Sequence, residues 1–451
     1  MKSKETINTK LSACQKRGMN YCLLLFFLFL SSSSTFAQSL QTDTLKLSRQ
    51  QFEELFLKQN LFLIAERLNI NKAEAFLLQA KLWPNPSVTI DGVNLWSTRK
   101  QLANLDSPLP PIFGNVAKNT QFSIQLEQLI QTAGKRKKLM EVEKVAVDLA
   151  KQEFEDILRI LKYEFRNHLT RLQYLELYKD VFALQQQSVQ NLLQSYQKQV
   201  ALDNISQGEL IRLKALQLEL SKDIVELTKE KNEAETELKV LLSIPASSSV
   251  LVNEERFVPK ISEIKEMRLD YLFEQALEYR PSIKIAELEN RHYAKLHNYE
   301  KSLRVPDLTL MSSYDRGGGV WPSYLGFGIS IDLPLFNKNQ GNIKSAEIGL
   351  DQTKILEDET RLRVQAEVSK SYTDLLISIS HYESIDLSYE QDLETLLNSY
   401  TRNFANRNIS LLEYLDFQSA YLENKKIILE SQRDIHLHLE ELHYTIGKEI
   451  K

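Results

Sequence analysis

Ser195-Tyr196-Gln197-Lys198-Gln199-Val200-Ala201-Leu202-Asp203-Asn204-Ile205-Ser206-Gln207-Gly208-Glu209 is met again 204 residues on, as Ser399-Tyr400-Thr401-Arg402-Asn403-Phe404-Ala405-Asn406-Arg407-Asn408-Ile409-Ser410-Leu411-Leu412-Glu413. Ser, Tyr, Ala, Asn, Ile, Ser and Glu coincide without a gap. In each copy a long amphipathic run enters a short polar break and a second long run leaves it. Each stretch therefore reads as the tip of a helical hairpin, and an internal repeat of this kind sets the fold before any single motif does.

Nothing between Gly134 and Leu202 breaks a helix, which at about 1.5 Å per residue is roughly 100 Å of rod. No ordinary core needs such a length, so the rod belongs to a coiled coil or an extended helical wall. Residues 205–242 return. The second copy predicts an unbroken helix over 341–406 and a return over 409–446. Each long hairpin is preceded by a shorter helical run: 45–82, with a local break at Asn60-Leu61, and 268–304, with a break at Arg280-Pro281. Between these lie strands. Residues 87–96 alternate apolar and polar, with a slip at Gly92 that predicts a bulge. A polar, Pro-rich loop over 97–119 leads to a second strand over 121–128. Val305-Pro306-Asp307-Leu308-Thr309-Leu310 repeats Asn85-Pro86-Ser87-Val88-Thr89-Ile90 and opens strands over 307–314 and 325–333. The organisation read from this is a presequence (1–37), a first repeat (38–242, with a β-hairpin at 86–129 and a helical hairpin at 134–242), a connector (243–267) and a second repeat (268–451, with hairpins at 306–333 and 341–446).

Only 13 Gly and 11 Pro in 451 residues, with 26% charged residues, favour long helices over many short elements. The net charge of −4 and the lack of a basic stripe argue against nucleic acid. Lys2, Lys4, Lys10, Lys16 and Arg17 precede an apolar run from Tyr21 to Leu30 and a small-x-small site at Thr35-Phe36-Ala37, the pattern of a secretory leader. Met19 is an alternative start. Removing the leader takes away five positive charges and one negative and leaves about −8. Both cysteines, Cys14 and Cys22, lie in it. Leu11-Ser12-Ala13-Cys14 has the spelling of a lipidation box but precedes the apolar run, so lipidation is not expected.

Four strands of eight to ten residues with alternating faces match the length and pattern of transmembrane β-strands. Four cannot close a barrel, and an open edge in lipid leaves backbone groups unpaired. The barrel must be shared, by two chains with eight strands or by three with twelve. Gly326, Gly328, Ser330 and Asp332 on one face of the last strand cannot supply a packed core and suit a water-filled lumen. Trp96, Trp321 and Tyr324 border the strands where an interfacial belt belongs.

With these features in place, the chain resembles the TolC family of outer-membrane efflux proteins. The carrying features are the twofold repeat, the leader, Leu82-Trp83-Pro84-Asn85-Pro86-Ser87 before the first strand, and the two Asn-Ile-Ser-x-x-Glu tips. The tract at Leu82–Pro86 is most similar to the CzcC/CusC-like heavy-metal branch. The resemblance implies a mainly α fold with a small β part: a homotrimer with a shared twelve-stranded barrel in the outer membrane and a coiled-coil helical tunnel in the periplasm. It implies a passive, non-enzymatic duct without a cofactor, whose partners are a periplasmic adaptor, an inner-membrane pump and outer-membrane lipid. The tips that would meet the adaptor are Asp203, Asn204, Ile205 and Ser206, and Arg407, Asn408, Ile409 and Ser410. Family members usually carry glycine at the position of Asp203 and Arg407, so the second tip is expected to turn at Asn406 or Asn408 instead, with an Asp203–Arg407 contact between adjacent tips as a further expectation. The family's acidic constriction maps to Glu413 and Asp416, with Glu209 in the first repeat, where Arg212 replaces the second acid. A pore-less periplasmic scaffold and a duct for protein secretion are the rival readings.

Enzyme chemistry finds no support. Seven histidines form no His-Glu-x-x-His pattern. His436 and His438 are expected on solvated helix faces. Met140, Met267 and Met311 are too dispersed for a soft-metal relay, and Arg316-Gly317-Gly318-Gly319 lacks the lysine of a phosphate loop.

Overall fold

A computed structural model describes residues 44–94, 121–253, 261–316, 323–385 and 388–450, together with positions 100 and 103. The elements are β1 (Thr44–Leu47), α1 (Arg49–Gln59), α2 (Leu61–Lys81), β2 (Ser87–Asn94), β3 (Gln121–Ile130), α3 (Lys135–Val200), α4 (Gln207–Leu242), β4 (Ser249–Val252), α5 (Ile261–Lys265), α6 (Leu269–Tyr279), α7 (Pro281–Ser302), β5 (Leu308–Arg316), β6 (Ser323–Ile331), α8 (Gln340–Glu383), α9 (Tyr389–Ala405) and α10 (Leu411–Ile446). The leader and, apart from positions 100 and 103, the 97–119 loop lie outside the described residues, as do Trp96 and Trp321. The chain divides into two units, 1–45 with 245–250 and 46–244 with 251–451. In the described part of the smaller one, the Ser248 N–H donates to the Pro245 carbonyl at 3.0 Å. Among the described residues the larger unit holds the ten helices α1 to α10 and the strands β2, β3, β5 and β6.

The break at Asn60 has a local cause. Its backbone N–H closes α1 on the Phe56 carbonyl, while its side-chain oxygen accepts from the Leu63 N–H at 2.8 Å and caps α2. Its amide then donates to the Leu241 carbonyl at 2.7 Å, tying the corner to the end of α4. At the matching corner Pro281 takes the first position of α7, where its missing N–H costs nothing.

Two heptad seams hold the rods together. On α4, Leu213, Leu220, Leu227 and Ala234 are all buried at steps of seven; on α10 the same is true of Tyr414, Tyr421, Ile428, Ile435 and Leu442. The α4 residues and Tyr414 pack with Tyr174, Tyr178, Phe182 and Val189 of α3, Tyr421 and Ile428 with Leu393 of α9, and Ile435 and Leu442 with Val364, Val368 and Leu375 of α8. Gly349 lets α7 approach α8: a Cβ there would meet the Tyr293 ring at 2.2 Å.

The expected unbroken helix over 341–406 is corrected. α8 ends at Glu383 and α9 begins at Tyr389. The Ser384 hydroxyl donates to the His381 carbonyl at 2.6 Å, and its N–H is shared between the Ser380 and His381 carbonyls at 3.1 Å. Serine thus offers the end of α8 the hydrogen bonds that helix continuation would have supplied. The first repeat has no such break in α3.

The four longer strands form one antiparallel sheet in the order β2-β3-β5-β6, so both hairpins join through β3 and β5. The slip at Gly92 is a register shift between Asp91 and Asn94, with Gly92 at φ +62°. Among the described residues, β2 and β6 are open edges.

Candidate functional site

Cross-strand register sorts the sheet into two unlike faces. Ile90, Ile124, Tyr314 and Leu325 are paired in a row across all four strands, and Leu310 opposes Ile329 on the same side. The other side carries Thr89, Gln125, Ser313 and Gly326 in one row, with Asp91, Ser123 and Asp315 in the next. The apolar side is uncovered: Val88, Ile90, Leu325, Phe327 and Ile329 are each more than 60% exposed, Phe327 at 81%. The polar side stays low-profile. A Cβ at Gly326 would meet the Tyr324 ring at 2.8 Å and the Ser313 hydroxyl at 3.0 Å. An apolar face open to the surroundings, backed by a mainly polar face that also carries Met311 and Tyr324, is the reverse of a soluble β-layer. Among the described residues no helix is long and apolar enough to cross a membrane.

The tips show what the repeated motif does. Asp203 and Arg407 both take positive φ, +56° and +62°. The expected shift of the second turn to Asn406 or Asn408 is therefore corrected. The left-handed residue is Arg407, held because the next N–H reaches back over the turn. Asn204 donates from its backbone to the Gln199 carbonyl at 2.9 Å, and Asn408 to the Asn403 carbonyl at 2.8 Å. The two Asn side chains add bonds to Gln199 and Asn403 at 2.9 and 3.3 Å. Ser206 and Ser410 then cap the outgoing helices, accepting from the Glu209 and Glu413 N–H groups at 3.3 and 3.2 Å. Ile409 packs against the core of α3, α4 and α10. The shared residues are thus a helix stop, a hydrophobic tether and a helix start.

Glu413 completes a capping box. Its carboxylate accepts from the Ser410 N–H and hydroxyl, both at 2.8 Å, and these bonds hold it below the usual carboxylate range. Asp416, a turn later, is exposed, as is Arg212 in the first copy; Glu209 is half-buried. Within the chain Arg407 donates to Gln199 at 3.2 Å and makes no ion pair with Asp203. The tips are also stacked together, Tyr196 on Phe404 at 5.4 Å and Phe404 on Tyr414 at 4.6 Å between ring centroids. Replacing Arg407 with glycine should leave the tip intact and stabilise it by up to about 1 kcal/mol, since a left-handed L-residue costs of that order. Valine should loosen it. Amide exchange at residues 404–411 reads both; faster exchange in the glycine variant contradicts the turn assignment.

Sequence reasoning missed the polar clusters that tie the rods. Lys425, buried on α10, donates to Glu390 and Glu394 of α9 at 2.8 and 2.7 Å. The Gln418 amide meets Gln185 of α3 in the buried seam. Arg166 of α3 grips Glu53 of α1 at 2.8 Å, Glu440 of α10 at 3.1 Å, and Glu449. A basic residue recurring on an otherwise buried heptad face, as Lys425 does four after Tyr421, was the available signal. His436 and His438 are not solvated as expected. Burial pushes the His436 imidazole down to about 4, with Arg49 adding to the shift. His438 meets the Ser378 hydroxyl at 2.7 Å through Nδ1. Among the described residues no group of three His, Cys, Asp or Glu is arranged to hold a metal ion.

A sheet with one apolar and one polar face, unpaired at both edges among the described residues, accompanies helices of up to 66 residues. Residues 272–448 match the family described as outer membrane efflux protein. The sequence match lies in the second repeat. It is similar to the cobalt-zinc-cadmium resistance protein CzcC of Cupriavidus metallidurans, 24% identical over 152 residues, a stretch covering 34% of this chain and 36% of that protein's length. Among solved structures it resembles CusC, with a TM-score of 0.67 and 16% identity over 88% of this chain and 92% of that one. It also resembles the outer membrane protein VceC of Vibrio cholerae, with a TM-score of 0.67 and 16% identity over 89% and 97%.

Proposed function

We propose that the chain is the outer-membrane exit duct of a tripartite efflux system. The carrying observation is the two-faced, open-edged sheet. Its two free edges find partners in the bilayer only if copies join edge to edge, and three copies give twelve strands around a water-filled lumen. The rods then form a periplasmic tunnel, and the tips at 203–206 and 407–410 face a periplasmic adaptor coupled to an inner-membrane pump. Residues 1–37 are the leader that sends the chain there.

The proposed cargo is a metal cation, supported by the similarity to CzcC. No resident metal site is needed, since a duct that held its cargo tightly would not release it. A strain lacking the chain is expected to lose tolerance to cobalt, zinc or cadmium and to regain it on complementation. Unchanged tolerance removes the metal reading and leaves drugs or secreted protein.

Glu413 and Asp416, with Glu209, are proposed as the acidic constriction. Asp416 is the member free to project, because Glu413 is folded back on Ser410. In three copies these carboxylates would favour cations. Glu413→Gln combined with Asp416→Asn should lower cation over anion selectivity in planar bilayers, most of the change coming from Asp416. Unchanged selectivity rules the constriction out.

A further inference from the structure

The end of the sheet nearest the rods carries a surface that the barrel and the tunnel leave unexplained. Ser87, Ile130, Leu308 and Ile331 lie along one edge, since Leu308 pairs with both Ile130 and Ile331 while Ser87 opposes Glu127. The segments that link these strand ends to the helices expose large apolar side chains. Leu82, Trp83, Leu333 and Leu335 are each more than half exposed, and Phe336 is 94% exposed.

The same links are basic. Segments 81–86, 131–139, 303–307 and 332–340 hold seven Lys and Arg against two Asp, in a chain whose net charge is −4. One of the two acids, Asp307, is already held by Lys135 at 2.7 Å and by the Thr132 N–H at 2.8 Å. Lys81, Lys137, Arg304 and Lys338 are exposed on the same links. Arg136 donates to the Lys81 carbonyl at 2.9 Å and lays its guanidinium over the Trp83 ring, 3.9 Å from the centroid. Indole, aliphatic tips and long cationic stems at one level are the chemistry of a lipid interface. Trp sits at headgroup depth, and Lys and Arg extend from it to phosphate.

We propose that this collar is a binding surface for anionic phospholipid headgroups, the Trp83 cluster entering the interface and the surrounding cations engaging phosphate. It rests on the reading that the sheet lies in a bilayer, and extends it by assigning the level of the headgroups and a preference among lipids. The apolar residues could alternatively be covered by a second copy of the chain. The basic excess favours the lipid, because a copy would bring the same positive charge to the contact.

The test uses the full protein purified from membranes, with Trp96→Phe and Trp321→Phe leaving Trp83 as the only indole, reconstituted with brominated phosphatidylglycerol or brominated phosphatidylcholine at equal fractions. Trp83 is expected to be quenched by both, with a preference for phosphatidylglycerol of roughly five-fold for each cation engaged. The preference should fall with added salt. It should vanish in Lys81→Gln, Lys137→Gln, Arg304→Gln, Lys338→Gln, which leaves Arg136 and its bond to the Lys81 carbonyl in place. Equal quenching by the two lipids overturns the proposal. So does an unquenched Trp83 in a protein whose added Phe327→Trp reporter on the sheet is quenched, a result that places a second copy over the collar and spares the membrane reading. If neither site is quenched, the membrane reading fails and the collar with it.

Discussion

Phe327→Arg is expected to abolish stable membrane assembly, whereas Ser330→Arg should assemble and alter conductance only. Phe327 is 81% exposed, near the middle of β6, on the same side as Leu325 and Ile329. An arginine facing lipid near the bilayer midplane costs about 2–4 kcal/mol, and if three chains close one barrel the cost is incurred three times. Ser330 points the other way, paired with Thr309 on the polar side. There a cation can remain in water. Recovery of the two variants in the outer-membrane fraction, with their resistance to extraction, checks the contrast. Equal loss would mean that the two faces are not lipid and lumen.

The second large effect is expected far from the sheet. Arg166→Ala should lower stability by about 3 kcal/mol, because it removes the one cation shared by Glu53, Glu440 and Glu449 and leaves Glu53 to Lys162 and the buried Glu440 to His443. Burial alone would push Glu440 upward, yet His443 and Arg166 together hold it down to about 2. Burial likewise works against the Arg166 charge, and Glu440, Glu449 and Glu53 outweigh it, raising its pKa. A carboxyl depressed in the folded state contributes stability above the ordinary carboxylate pKa of about 4.3 and loses it as pH falls towards 2. The wild type should therefore lose stability across that window, and Glu440→Gln should show a flatter acid limb. Urea midpoints in detergent at several pH values measure both. An Arg166→Ala protein as stable as the wild type would show that the cluster is not a clamp between α1, α3 and α10.

The long elements were legible because their signals are redundant. The absence of a breaker from Gly134 to Leu202, two prolines after Leu82 and alternation over residues 121–128 each constrain the same answer from a different side. The tip was legible as a turn but not in its detail. Propensity speaks against a left-handed arginine, yet the bond from Asn408 to the Asn403 carbonyl and the Ser410 cap fix the backbone on either side, and Arg407 takes the conformation left to it. The break after Glu383 was missed for a related reason. Neither Gly nor Pro marks it, and serine hydroxyls that close a helix locally look the same in sequence as those facing water. Glu413 was read as an acid of the lumen, and its bonds to Ser410 show a structural duty that the Ser-x-x-Glu spacing already spelled. The clusters around Arg166 and Lys425 join residues 31 to 283 positions apart, a distance over which charge patterning along one helix carries no information.

The central claim is that copies of this chain close a water-filled pore across a bilayer. Purified protein added to a planar lipid bilayer should give discrete conductance steps of uniform size that favour cations. Protein that associates with the bilayer but carries no current would contradict the claim and leave a helical scaffold without a pore.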